Sequence, residues 1–147
     1  MRLVCGPTDF TIGPQDSALQ VLLYGQHAGP DIGSAGDAAK REIQRRKLDP
    51  APRAWDLLSI ALSVVTADLA ELRSQSPDGW TREFELDVAV SDPNFWTSQS
   101  KALSGALAFL TTDRWTFRFH HGGVLPAPPR EPVRPENDSI VLLSGGL

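Results

Sequence analysis

The sequence closes on DSIVLLSGGL, and Ser144, Gly145 and Gly146 are the residues in it best suited to chemistry. Residues 139–143 form a short apolar, β-branched run of the kind found in a strand covered on both faces. The small residues that follow let backbone N–H groups close around an anion. A strand that enters such a turn normally leads to a helix whose N-terminus helps to hold phosphate. The pattern is that of a nucleotide-binding loop, and the expectation is that the chain is the front part of a longer protein, cut inside that loop.

Other reactive residue types are arranged less productively. His120 and His121 are neighbours in an alternating stretch, RWTFRFHH, so a strand sends their side chains to opposite faces and they cannot chelate one ion; a structural or exposed role is preferred. Together with His27 they lack ligand spacing for zinc. Glu83, Glu85 and Asp87 share a strand face and could pair as acid and base, but solvated outward faces of strands have this composition, and the catalytic reading is rejected. Asp68, near the end of a long apolar helix pattern, reads as a hydrogen-bonded or exposed structural acid. Cys5 is the only cysteine, so the chain can form no internal disulfide and no cysteine metal site. The glycines at 29, 33 and 36 do not spell a phosphate-loop fingerprint. Trp80, Trp96, Trp115, Phe117 and Phe119 are read as core aromatics rather than a base-stacking platform.

Composition narrows the class further. The 147 residues are 41% hydrophobic and 22% charged, with a net charge of -4. A mildly acidic chain lacks the basic surface that displaces counterions from nucleic acid, so a nucleic-acid partner is not expected. The basic cluster KREIQRRK, residues 40–47, is balanced by Asp31, Asp37, Glu42 and Asp49 and reads as a solvated helix face. The N-terminus has no extended apolar segment of a signal peptide, and the apolar stretch 55–72 is too interrupted by polar residues to cross a membrane. A cytoplasmic protein is expected.

Those residues must be positioned by a fold. RLVC (2–5) and LQVLLY (19–24) read as strands, and the glycine-rich stretch that starts at residue 25 reads as leading into a loop and a short helix over about 35–47. Residues 54–73 carry the strongest helix signal, with Trp55, Leu58, Leu62, Val65, Leu69 and Leu72 forming a core stripe that Leu57, Ile60, Ala61 and Val64 widen. TREFELDVAV then alternates as a half-exposed antiparallel strand. Ser91 or Asp92 with Pro93 starts a second main helix that aims Trp96, Leu103, Leu107 and Leu110 at the core. The fold class predicted is α+β, a mainly antiparallel sheet with two main helices in residues 1–121. Residues 122–138, with five prolines in seventeen positions, read as a linker. Residues 139–147 then give the first strand and loop start of a second, α/β domain.

At residues 140–147, IVLLSGGL resembles the start of the PP-loop of the ATP-pyrophosphatase superfamily, whose motif is SGGxDS. The wording is similar to 7-cyano-7-deazaguanine synthase (QueC) and, less closely, to the synthetase domain of asparagine synthetase, where the glutaminase cysteine follows the initiator Met; here Arg2 stands there. A domain in front of the loop resembles QueC-like proteins of the anti-phage QatC type, as do AWDLLSIALSVVTADL, DGWTREFELDVAVSDPNFW and FLTTDRWTFRF. The resemblance implies an ATP-dependent ligase. Ser144, Gly145 and Gly146 would cradle the ATP phosphates with Mg2+, and a carboxylated deazaguanine would be adenylated and then opened by ammonia or a protein amine. It also implies zinc in a later part of the protein, and for residues 1–121 an accessory, partner-docking role. The alternatives are a non-enzymatic interaction domain and an asparagine-synthetase-like enzyme.

Overall fold

A computed structural model describes residues 1–12, 18–25 and 32–134. Five strands, β1 (Arg2–Gly6), β2 (Leu19–Leu23), β3 (Ile32–Ala35), β4 (Glu83–Val90) and β5 (Arg114–His121), form one sheet in the order β3-β2-β1-β4-β5. Three helices accompany it: α1 (Asp37–Arg45), α2 (Pro52–Ala70) and α3 (Pro93–Thr111). The combination of helices with one sheet is as expected, but the α+β class with a mainly antiparallel sheet is not. Every neighbouring pair of strands is parallel.

The reason lies in which face is covered. The chain steps outward from β1 to β2 to β3, then crosses back over β1 to β4 and on to β5. Right-handed crossovers place connections running in opposite directions on opposite faces. α2 and α3 both lie on the returning path, so both cover the same face. The outward steps carry no helix among the described residues. Among the described residues no helix covers the second face of β4 and β5, and β4 alternates apolar and polar as an antiparallel strand would. Parallel strands usually read as continuous apolar runs because both their faces are covered. β3 falls where a loop was expected: Gly33 and Ser34 are poor strand formers, and pairing with β2 from Gln20↔Ile32 to Leu23↔Ala35 makes the strand.

The core lies between sheet and helices. Leu3, Cys5, Val21, Leu23, Phe84, Leu86, Val88, Val90, Trp115 and Phe117 point toward α2 and α3, which contribute Trp55, Ile60, Ala67 and Trp96. The rings of Phe84 and Trp115 stack with centroids 4.4 Å apart.

α2 is turned relative to its expected stripe. Its buried residues are Trp55, Asp56, Ser59, Ile60, Ser63 and Ala67. Leu58, Leu62 and Val64 are half-buried against the core, whereas Leu57, Val65, Leu69 and Leu72 are exposed. Small residues let the helix approach the sheet, and each polar one has a partner. The Ser59 hydroxyl donates to the Trp55 carbonyl and meets the Tyr24 hydroxyl, and Ser63 donates to the Ser59 carbonyl. On α3, Leu103 and Leu107 pack on the core as expected, but Leu110 is 74% exposed. The Trp115 indole occupies the underside of that last turn, donating to the Thr111 hydroxyl at 2.9 Å.

The start of α3 follows its sequence signals. Pro93 opens the helix and the Asp92 carboxylate accepts from the Phe95 amide. Beyond β5, residues 122–134 lie along the domain. The Gly123 amide donates to Val90, Pro126–Pro129 border a crevice with Ile43, Leu48 and Trp55, and the Val133 amide donates to Lys47 at 2.9 Å.

Candidate functional site

In an open parallel sheet with this strand order, ligands bind outside the carboxyl ends of the strands where the order reverses. Here that point lies between β1 and β4. It is filled by the chain itself. After Gly6 the loop turns back, with the Phe10 amide donating to Pro7, and seats the Phe10 ring on the bare face. A Cβ at Gly6 would lie 2.2 Å from that ring, so only glycine fits beneath it. The same ring lies 6.1 Å, centroid to centroid, from His120 and also covers Gly122. Beside it remains a shallow depression of about 230 Å³ lined by Pro7, Thr8, Phe10, Thr11, Gln20 and Leu22.

Next to Phe10 is the densest charge cluster of the bare face. β4 register places Asp87 opposite Val4 on one side and Arg118 on the other. The Asp87 residue is 1% exposed. It accepts from Arg2 Nε at 2.9 Å and Arg118 Nε at 3.0 Å, and its Oδ1 is 2.8 Å from His120 Nε2. Burial pushes the carboxyl upward, but the hydrogen bonds from Arg118, His120 and Arg2 outweigh it and hold it below the usual carboxylate range. Glu85 pairs with Arg118 and Glu83 with Arg114, so the arginines of this face are all matched by acids. The alternation suggested three solvated acids; Glu83 and Glu85 are exposed, but Asp87 is a buried hub.

Chemically, the hub is an Asp–His dyad that fixes one imidazole nitrogen. Among the described residues no group of His, Cys, Asp and Glu could hold a metal ion. Cys5 cannot serve as its nucleophile: it is buried in the core on the helix side, and burial pushes its thiol up to about 12, where no thiolate forms at neutral pH. His120 and His121 part as expected: His120 meets Asp87, and His121 is exposed.

Two further buried acids, neither singled out in the sequence, are structural. Asp113 accepts from the Arg82 amide at 3.0 Å, from Arg82 Nη2 at 2.7 Å and from both terminal nitrogens of Arg73. Burial opposes its charge, but the Arg82 side chain and amide keep it below the normal carboxylate range. Arg82 extends to the Asp68 carboxylate and the Asp68 and Glu71 carbonyls, and Arg73 to the Thr111 carbonyl. One cluster thus ties the ends of α2 and α3 to the starts of β4 and β5, and Asp68 is a structural acid as expected. Asp56 accepts from the Ser91 amide and hydroxyl, the Asp92 amide and the Trp96 indole, which fixes the entry to α3. Polar residues inside helix and turn patterns carry no periodic signal, so nothing in the sequence marked these hubs.

The outer surface of the helices has the opposite character. Leu57, Val65, Leu69 and Leu72, with Phe109 and Leu110, are exposed there, Phe109 at 87% and Leu69 at 79%. α2 and α3 each pack on the sheet and hardly on one another. The expected phosphate-binding residues Ser144, Gly145 and Gly146, and all of residues 135–147, lie outside the described residues. No helix among those described is long and apolar enough to cross a membrane. No family model matches the chain, and neither a curated protein nor a solved structure matches it.

Proposed function

We propose that the chain is the front part of a QueC-like, PP-loop ATP-dependent ligase, in which residues 1–121 are an accessory domain and Ser144, Gly145 and Gly146 begin the nucleotide loop. The activity is adenylation of a carboxylated 7-deazaguanine and its transfer to ammonia or to a protein amine, in cytoplasmic anti-phage defence. ATP and Mg2+ are the cofactors at the loop, with zinc in a later segment. The sequence IVLLSGGL is what suggests the ligase. The observation that supports an accessory role for the first domain is the Phe10 ring: the point where a parallel sheet of this order would take a nucleotide is filled by its own loop. Nucleotide chemistry is accordingly assigned to the loop after the proline-rich stretch. The bare face matches its arginines with acids, so nucleic acid is not assigned as a partner.

The test is pyrophosphate release from ATP by the product of the complete reading frame, with a carboxylated deazaguanine supplied. Release that disappears in Gly145→Val and persists in Phe10→Ala supports the assignment. Release unaffected by Gly145→Val, or absent in the unsubstituted protein, contradicts it. The second reading, a non-enzymatic interaction domain, is favoured by the exposed apolar helix surface and would give no release at all.

A further inference from the structure

We propose that the outer face of α2 and α3 is a dimer interface, and that its occupant is the same face of a second copy of this chain. Along α2, Leu57, Ala61, Val65 and Leu69 recur every fourth residue and Leu72 continues the line just past its end. Phe109 and Leu110 stand in the last turn of α3, and Arg73 brings the two ends together by donating to the Thr111 carbonyl at 2.8 Å. Exposures of 51% to 87% over the six large side chains amount to roughly 700 Å² of apolar surface. One partner's share of a standard stable interface is about 800 Å².

Charge argues for the identity of the occupant. α2 carries only Arg53, Asp56 and Asp68, and α3 only Lys101. Asp56 is buried beneath the helix, Arg53 is held by Asp92, and Asp68 by Arg82. Partners that meet transiently are told apart by charge patterns and polar rims. Permanent self-association favours faces that are apolar through their centre. Charges on the two helices are few, and the pairing of Arg53 with Asp92 and of Asp68 with Arg82 limits like-charge repulsion when the face meets its own twofold copy. The bare sheet face, dense in matched charges, lies on the other side of the sheet and stays outside the dimer.

The inference is independent of the PP-loop reading, because dimerisation and pyrophosphate release are measured separately. The test is the mass in solution of the 147-residue chain, by light scattering or sedimentation at micromolar concentration. A mass twice the 16.0 kDa of the monomer is expected. Leu69→Glu combined with Phe109→Glu halves it and leaves the helical circular dichroism intact, whereas Arg114→Glu on the bare face leaves the dimer unchanged. A monomeric unsubstituted chain, or a dimer that survives the double substitution, overturns the proposal. Should the double substitution unfold the chain, thiol crosslinking replaces it, since Cys5 is buried and contributes no background. Leu69→Cys or Phe109→Cys then gives a crosslinked dimer and Thr116→Cys does not; crosslinking through Thr116→Cys alone overturns the proposal.

Discussion

The two surfaces of this domain look functional for opposite reasons. The bare sheet face holds Arg2, Glu83, Glu85, Asp87, Arg114, Arg118 and His120, a set of residue types that ordinarily signals chemistry. Yet these charges are paired with one another, and the crevice beside them is filled by Phe10. The outer helix face instead exposes Leu57, Val65, Leu69, Leu72, Phe109 and Leu110, whose apolar surface is left in water. Reactive residue types are thus a poorer guide to the working surface than unsatisfied ones. A matched ion pair has little left to offer a ligand, while an uncovered apolar patch gains from any partner that removes it from water.

The largest effect is expected at Asp113, which supports the helix face from beneath. Asp113→Ala leaves the buried Arg82 without its main acceptor and should lower unfolding stability by about 3–5 kcal/mol, read by urea denaturation. Gly6→Ala forces the Phe10 ring off its seat and should cost ~1–3 kcal/mol, with the signals of His120 and Gly122 shifting in NMR spectra. Asp87→Asn should cost about 1–2 kcal/mol, less than Asp113→Ala, because Arg2 and Arg118 are partly exposed and can turn to water. Arg114→Ala breaks only an exposed pair with Glu83 and should change stability by less than about 1 kcal/mol. A loss at Arg114 as large as that at Asp113 would erase the distinction drawn here.

Acid sharpens the same contrast. Asp87 and Asp113 have folded-state values held below the unfolded value of about 3.9. Their contribution to stability is therefore complete above that value and is lost as the pH falls through the folded values. Stability measured by urea should be level in this respect from neutral pH down to about pH 5 and fall below about pH 4. Asp113→Asn should blunt that fall; an unchanged acid limb would show that the carboxylate is not held as described.

The sequence made some of this legible and hid the rest for physical reasons. β4 and β5 were readable as alternating strands and α3 as a helix opened by Asp92 and Pro93, because those signals are local. Strand direction was hidden, since a parallel strand bare on one face writes the same alternation as an antiparallel one. The orientation of α2 was hidden because apolar residues cover most of its circumference. Which side turned inward was decided by small residues and by the partners of Asp56, Ser59 and Ser63. His120 and Asp87 were both noticed, but their pairing depends on the β4–β5 register, which spacing along the chain does not encode. Arg73, Arg82 and Asp113 gave no signal at all, being single polar residues at the ends of elements.

Hydroxyl-radical footprinting across protein concentration compares both surfaces in one experiment. Leu69, Leu72, Phe109 and Leu110 should become protected as concentration rises, while Arg118 and His120 on the bare face keep their reactivity. Unchanged oxidation of the four helix-face residues at every concentration, or protection confined to the bare face, would contradict it.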